Sequence, residues 1–227
     1  MTPGALADIW EGFQIRRLAR KFGARARSQL NQELFVLQRT GMKRGGFFVE
    51  FGATNGVTLN NTYLLETEFD WEGICAEPAR QYHAALKANR RARLEFDCVW
   101  TTTGEEIEFN EVDDGMLSTI ARFNEVDGWA ETRLQQGKSF TARTISLLDL
   151  LKKHDAPEVI DYLSIDTEGS EYDILRAFDF DAYDIRIITC EHNYTPARQK
   201  IFDLLSAKGY RRVLPKLSRW DDWYVRA

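Results

Sequence analysis

The sequence predicts an α/β fold: a mostly parallel sheet with helices on both faces, a helical extension in front and an inserted β segment. Three observations carry this. Short apolar runs alternate with helix-like periodicity from residue 47 to the end. The runs FFV, YLSI and IRIIT are continuously apolar, as strands buried on both faces must be. Glycines and acids gather where these runs stop, and open parallel sheets bind their ligands beyond the carboxyl ends of the strands.

The elements follow in order. Residues 5–21 and 27–41 read as helices, with Ile9, Trp10, Phe13, Leu18 and then Leu30, Leu34, Leu37 at helical spacing. Gly41 and Gly45–Gly46 close this leader. FFVEFG (47–52) is the first core strand, 58–67 a helix, GICAE (73–77) the second strand, 79–90 a helix and RLEFDCVW (93–100) the third strand. The rhythm then breaks. EIEFNEV (106–112) alternates as a half-buried strand, with 116–120 and 139–145 as partners. A helix over 146–153 opens on Ser146 with Asp149 three residues on, a capping pattern. YLSID (162–166), a helix at 169–178, IRIITCEH (185–192), a helix at 196–208 and two closing strands complete the chain. The extension spans 1–45, the main domain 46–227 and its insert 105–145.

The 227 residues suffice for one domain with a proper core, and 44% hydrophobic with 29% charged residues reads as soluble and globular. No spanning helix and no signal peptide are read. Cys75, Cys98 and Cys190 lie far apart in apolar segments, so they read as free thiols and the cytoplasm is the simplest address. Charge is uneven. Residues 1–46 hold nine Lys or Arg against three Asp or Glu, while the chain as a whole is −5. The cluster Arg16, Arg17, Arg20, Lys21, Arg25 and Arg27 suits peripheral contact with an anionic membrane or an anionic substrate; a solvated helix face is the plainer reading and is preferred.

The turn after the first strand runs Gly52-Ala53-Thr54-Asn55-Gly56, a G-x-x-x-G spacing. It lacks the G-x-G-x-x-G that cradles a dinucleotide pyrophosphate. S-adenosyl-L-methionine has no pyrophosphate; it needs room for its methionine part and an anion near the ammonium, a place for Glu50. Gly52, Ala53, Asn55 and Gly56 are counted with it in the cofactor site. Glu77 falls 25 residues after Gly52, at the tip of the second strand, where a carboxylate can accept both ribose hydroxyls. Asp97 and Cys98 end the third strand where adenine would lie. Taken singly, a tight turn and a helix N-terminal acid explain Gly52 and Glu77; together they favour the cofactor.

The next two strand ends carry Asp166, Glu168 and Glu171, and Glu191, His192 and Asn193. Adjacent in a sheet, these would converge. An alcohol is a weak nucleophile whose proton must be removed, by a base or with metal assistance. Asp166, Glu191 and His192 (or Asn193) offer ligands for Mg2+ or Mn2+, with Glu168 as general base and His192 its rival. Asp166 is counted with the cofactor residues too. The plainer readings are first-turn acids stabilising a helix and a hydrogen-bonded structural histidine. His83 and His154 read as surface residues.

With FVEFGATNGVTLNNTYLLE, WEGICAEP, LSTI (117–120), DYLSIDTEGSEYDILRAF, EHN and a later GY, the chain resembles the FkbM family of methyltransferases from about Phe47 to Tyr224. The resemblance implies a Rossmann-like class I methyltransferase fold with a seven-stranded sheet, S-adenosyl-L-methionine as donor and O-methylation of a sugar, glycan or natural-product hydroxyl. It matches Glu50, Gly52 and Glu77 to cofactor positions and Ser118 to a motif reaching over the cofactor. The acids of the fourth and fifth strands are similar to those of metal-dependent catechol and sugar O-methyltransferases, although Glu191–His192 departs from their acid–acid or acid–amide pair. Phe109, Met116, Phe123 and Trp129 in the insert are available to stack on sugar rings or to form a small satellite core. The basic helices would serve as lid, clamp or contact in a homo-oligomer. An oxidoreductase is disfavoured by the missing dinucleotide motif, a non-catalytic relative by the retained acids, and a nucleic-acid substrate by the acidic main domain.

Overall fold

The computed structural model describes residues 3–112, 117–124 and 128–227. Its main sheet is built on Phe47–Phe51 (β1), every residue of which is buried. Side chains alternate across a strand, so Phe47, Val49 and Phe51 join the hydrophobic cluster on one face while Phe48 joins the cluster on the other. β1 pairs in parallel with Glu72–Ala76 (β2) and with Val159–Ile165 (β8). β2 pairs with Arg93–Glu95 (β3), and β8 with Asp184–Glu191 (β9), again in parallel. Asp221–Arg226 (β11) runs antiparallel to β9 and to Tyr210–Val213 (β10). The seven-stranded order is β10-β11-β9-β8-β1-β2-β3, a mixed sheet with one reversed strand.

Helices cover both faces. Leu147–Lys153 (α6), Glu171–Ala177 (α7) and Ala197–Ala207 (α8) bury Leu150, Leu175 and Ile201 in one cluster. Pro3–Phe22 (α1), Gln32–Arg39 (α2), Tyr63–Phe69 (α3) and His83–Asn89 (α4) supply Ile15, Leu34, Leu64 and Leu86 to the other. The leader helices therefore share a core with Phe48, Tyr162 and Trp223. Ser146 caps α6 by accepting from Asp149 N–H at 3.1 Å.

The insert is a second sheet of order β4-β7-β5-β6. Glu106–Glu111 (β5) pairs antiparallel with Thr119–Ile120 (β6) and with Lys138–Ser146 (β7), and β7 pairs in parallel with Cys98–Trp100 (β4). Ala130–Gln136 (α5) lies between β6 and β7.

Several expectations need correction. The run 93–100 is two strands in two sheets; it breaks at Phe96–Asp97, whose N–H groups both bond to the Glu95 carboxylate. The second leader helix starts only at Gln32, because Glu33 accepts from Arg27 and Ser28 N–H and holds that stretch in a turn. The helix expected over 58–67 starts at Tyr63, after residues 60–62 wrap the Glu50 carboxylate. The inward face of α1 is Ile15, Leu18 and Phe22, whereas Ile9, Trp10 and Phe13 face outward. His83 and His154 are half-buried: His83 stacks on Phe96 and bonds Glu77 O at 3.1 Å, and His154 bonds Glu95 at 3.2 Å.

Candidate active site

A cleft of about 830 Å³, its open mouth included, lies over the carboxyl ends of β1, β2 and β8. Parallel register lines these ends up. Phe51 sits beside Ala76 on one side and Ile165 on the other, so Gly52 falls between Glu77 and Asp166. The approach is close enough to demand glycine. Gly52 has φ +74°, and a Cβ there would stand 2.0 Å from the Asp166 carbonyl oxygen. Gly56 has φ +80°, with Arg90 and Leu86 where its Cβ would go. Ala53 is fully buried beneath this turn, and Asn55 closes it by accepting from Val57 and Thr58 N–H.

Glu50 does not reach the cleft. Its side chain enters the helical layer below the turn, where one oxygen accepts from Asn61 N–H at 2.8 Å and the other from Asn60 at 2.9 Å and Thr62 at 2.6 Å. The fully buried Arg90 guanidinium reaches Glu50, Glu66, Asn60 and Thr62. Glu50 thus shapes the loop that borders the cleft rather than lining it. Glu77 does line it. It accepts from Thr54 and Ala79 N–H, both at 2.8 Å, and burial pushes its carboxyl up to about 7. Beside it Ala76, Pro78, Cys98, Val99, Phe109 and Ile120 form an apolar slot. Asp97 is not in the lining; Cys98 is.

On the far wall stand the acids. Ile165 pairs with Cys190, so Asp166 and Glu191 emerge side by side. Ligand atoms of Asp166, Glu168 and Glu191 all lie within 4.8 Å of one another. Burial raises the Asp166 and Glu191 carboxyls above the usual carboxylate range, and on Glu191 the Asp166 charge adds to it. Glu168 has φ +57°, and Arg133 of α5, its side chain fully buried, donates to it at 2.7 Å. Thr119 Oγ1 donates to the Glu168 carbonyl at 2.9 Å. The insert is therefore pinned to the acidic wall twice. His192 is not in this group. One residue beyond Glu191, it turns to the opposite side of the strand, where its Nε2 lies 3.8 Å from Asp222 and its Nδ1 accepts from Tyr194 N–H. Burial lowers its pKa and so favours the neutral ring, and it is Glu168 that stands with Asp166 and Glu191.

The model of the methyltransferase FkbM domain matches residues 50–212. The chain belongs to the FkbM methyltransferase family. Membership makes it a methyltransferase with S-adenosyl-L-methionine as donor, and the sheet order above is its Rossmann-like class I core. No curated protein sequence matches. Among solved structures, one chain of a fibrillarin/Nop5p complex matches with 9% identity and a TM-score of 0.43 over 88% of this chain and 80% of that one; a likeness that distant adds nothing to the reading.

Within this FkbM domain the cleft brings together Gly52, Glu77, Cys98, Ser118, Asp166, Glu168 and Glu191. It leaves out Glu50, Ala53, Asn55, Gly56, Asp97 and His192. Ser118 lines it while accepting from Val112 N–H. Of the insert side chains, Phe109 lines the cleft with its ring tilted against Phe140, and Phe123 packs edge-on against Trp100. Trp129 is half exposed, and Met116 lies outside the described residues. Thr54, Thr58, Leu59 and Gln29 also line the cleft and were not anticipated; Thr54 lies within the Gly52–Gly56 turn, the run TLNN after Gly56 was the signal for Thr58 and Leu59, and Gln29 carries none. Arg133 carries no signal, because its helix, AETRLQQ, reads as an ordinary solvated one.

Proposed function

We propose that this methyltransferase transfers the methyl group to a hydroxyl oxygen of a sugar, glycan or natural product, with a divalent cation such as Mg2+ or Mn2+ held by Asp166, Glu168 and Glu191. The observation that supports it is the convergence of these three carboxylates at one wall of the cleft. Carboxylate oxygens suit hard cations, and crowded buried acids repel one another until a cation or protons intervene.

The donor site fits its ligand by chemistry. The apolar slot suits an adenine, and Glu77 retains acceptor capacity for two hydroxyls beyond its backbone bonds. Gly52 and Thr54 leave backbone against the space between Glu77 and Asp166. S-adenosyl-L-methionine, when bound there, supplies an electrophilic methyl group on its sulfonium; a divalent cation would lower the cost of removing the acceptor's proton. Asp166 would orient the acceptor hydroxyl, and in a metal-independent version Glu168 would take its proton. Arg133 and the β6 contact to Glu168 fix that geometry and close the insert over it.

One observation favours a metal-independent version of the same reaction. Glu168 already has a cationic partner in Arg133 at 2.7 Å, so the protein supplies part of the countercharge itself. Calorimetric titration separates the two. Metal-stripped protein is titrated with S-adenosylhomocysteine, then with Mn2+ alone, in wild type and Asp166→Ala. A Mn2+ event lost in the variant supports the metal-assisted reading. Cofactor binding with no Mn2+ event, and methyl-ether formation on glycosides without added metal, selects the metal-independent one. Product carrying its methyl on nitrogen or carbon would overturn both.

A further inference from the structure

The outward face of α1 is the largest feature that the methyl-transfer site leaves unused. Ile9, Trp10 and Phe13 are 57%, 62% and 51% exposed, and the Trp10 and Phe13 rings stack at 5.9 Å. Arg16, Arg17, Arg20 and Lys21 are also exposed, and none has a carboxylate partner among the described residues. At 3.6 residues per turn these seven side chains fall within an arc of about 140°. They are ordered along the axis, apolar toward the amino end and cationic toward the carboxyl end. The acids of α1, Asp8 and Glu11, fall outside the arc, and Glu11 is paired with Arg39. Beside Ile9 a groove lined by Leu214, Pro215 and Leu217, with Arg16, Lys216 and Asp8 around them, continues the surface.

The opposite face of the same helix is anchored. Ile15 and Phe22 are buried in the core cluster with Leu34 and Phe48, and Phe22 meets Phe69 edge-on at 5.8 Å. The exposed aromatic residues are therefore not the inward stripe of a loose helix. They are a second apolar face on a helix that already has its own. Large aromatic and aliphatic groups exposed together mark an interaction surface.

We propose that this face docks the enzyme on an anionic lipid surface, with Ile9, Trp10 and Phe13 entering the headgroup–acyl boundary and Arg16, Arg17, Arg20 and Lys21 meeting lipid phosphates. Charge complementarity picks the partner. A two-fold contact with a second copy would bring two sets of the same four cations into one interface, with no acid in the arc to offset them. A membrane offers negative headgroups and an apolar layer next to each other, and aromatic residues followed by Lys and Arg are the composition of interfacial helices. Docking is peripheral, since no helix among the described residues is long and apolar enough to cross a bilayer. It leaves the cleft free, because none of these seven residues lines it.

The test is co-sedimentation of the full chain with vesicles of phosphatidylcholine alone and of phosphatidylcholine mixed with phosphatidylglycerol. Wild type is expected to bind the mixed vesicles at least ~10-fold more tightly and to be released in about 1 M salt, where screening extends only ~3 Å. The variants Trp10→Ser/Phe13→Ser and Arg16→Glu/Arg17→Glu/Arg20→Glu should each lose at least ~10-fold in vesicle affinity while binding S-adenosylhomocysteine as wild type does. Absence of binding to the mixed vesicles, or equal binding to both kinds, overturns the proposal. So does a concentration-dependent dimer in sedimentation velocity that Trp10→Ser/Phe13→Ser abolishes, since that assigns the face to a second copy.

Discussion

Two strand ends in one sheet treat their carboxylates in opposite ways. Glu50, in β1, is surrounded by donors: Asn60, Asn61 and Thr62 from the loop it supports, and Arg90 from the helix beyond. Asp166 and Glu191, two residues further along the sheet axis, face acids instead. Burial and mutual repulsion raise them. An acid whose oxygens are met by the chain's own donors holds structure. Acids crowded without that compensation carry an unfavourable arrangement that a ligand or proton relieves, and such arrangements concentrate at functional sites.

The sharpest break in that comparison comes from opposite substitutions. Arg90→Ala removes the cation serving Glu50, Glu66, Asn60 and Thr62, leaving buried acceptors without their donor. Unfolding in urea should show a loss of about 3–5 kcal/mol. Asp166→Ala should do the reverse: turnover falls by ~10³-fold or more, S-adenosylhomocysteine affinity changes little, and stability in the metal-free protein does not fall. If Asp166→Ala unfolds the protein as Arg90→Ala does, the distinction between the two ends disappears.

The sequence made the sheet legible because its strands are short apolar runs ended by glycine or acid, and because burial on both faces leaves that pattern uninterrupted. It made the location of the site legible for the same reason, since strand ends are where Gly52, Glu77, Asp166 and Glu191 fall. It did not show which face a side chain takes. Glu50 and Glu77 look alike in sequence, each an acid near a strand end, yet Glu50 lies inside β1 opposite Cys75 and turns into the helical layer, while Glu77 lies past the end of β2 and reaches the cleft. Glu191 and His192 are neighbours that point opposite ways. Arg133, 35 residues from Glu168, is joined to it only by the folding of the insert over the sheet.

pH sharpens the contrast further. Burial raises Glu33 and Glu77 to about 7 and Asp221 to about 8. A carboxyl raised on folding binds its proton more tightly in the folded state. Its stabilising contribution is present at low pH and is lost as pH rises through the folded value. The metal-free protein should therefore melt about 5 °C higher near pH 6 than near pH 8. Asp221→Asn should flatten this dependence, since Asn keeps an oxygen for the Gln32 amide that now bonds Asp221 at 2.8 Å. A melting temperature that rises toward pH 8 would contradict the assigned burial of these acids.

The smallest effect concerns Glu77, which stands between the two kinds of acid. Thr54 and Ala79 N–H each occupy one of its oxygens, as donors do for Glu50, yet burial still pushes it to about 7 and it borders the cleft. Its remaining lone pairs face the space where a diol would sit. Only the ionised carboxylate accepts from both hydroxyls; the protonated form keeps a donor of its own. S-adenosylhomocysteine affinity should accordingly tighten as pH rises through about 7. Glu77→Ala should weaken it by about tenfold, the scale of one hydrogen bond to a charged group. The same variant should bind S-adenosylhomocysteine and its 2′-deoxy analogue alike, where wild type prefers the intact ribose. If the variant keeps the wild-type preference, Glu77 belongs with Glu50 as a support of the loop, and the ribose is read by another residue of the cleft.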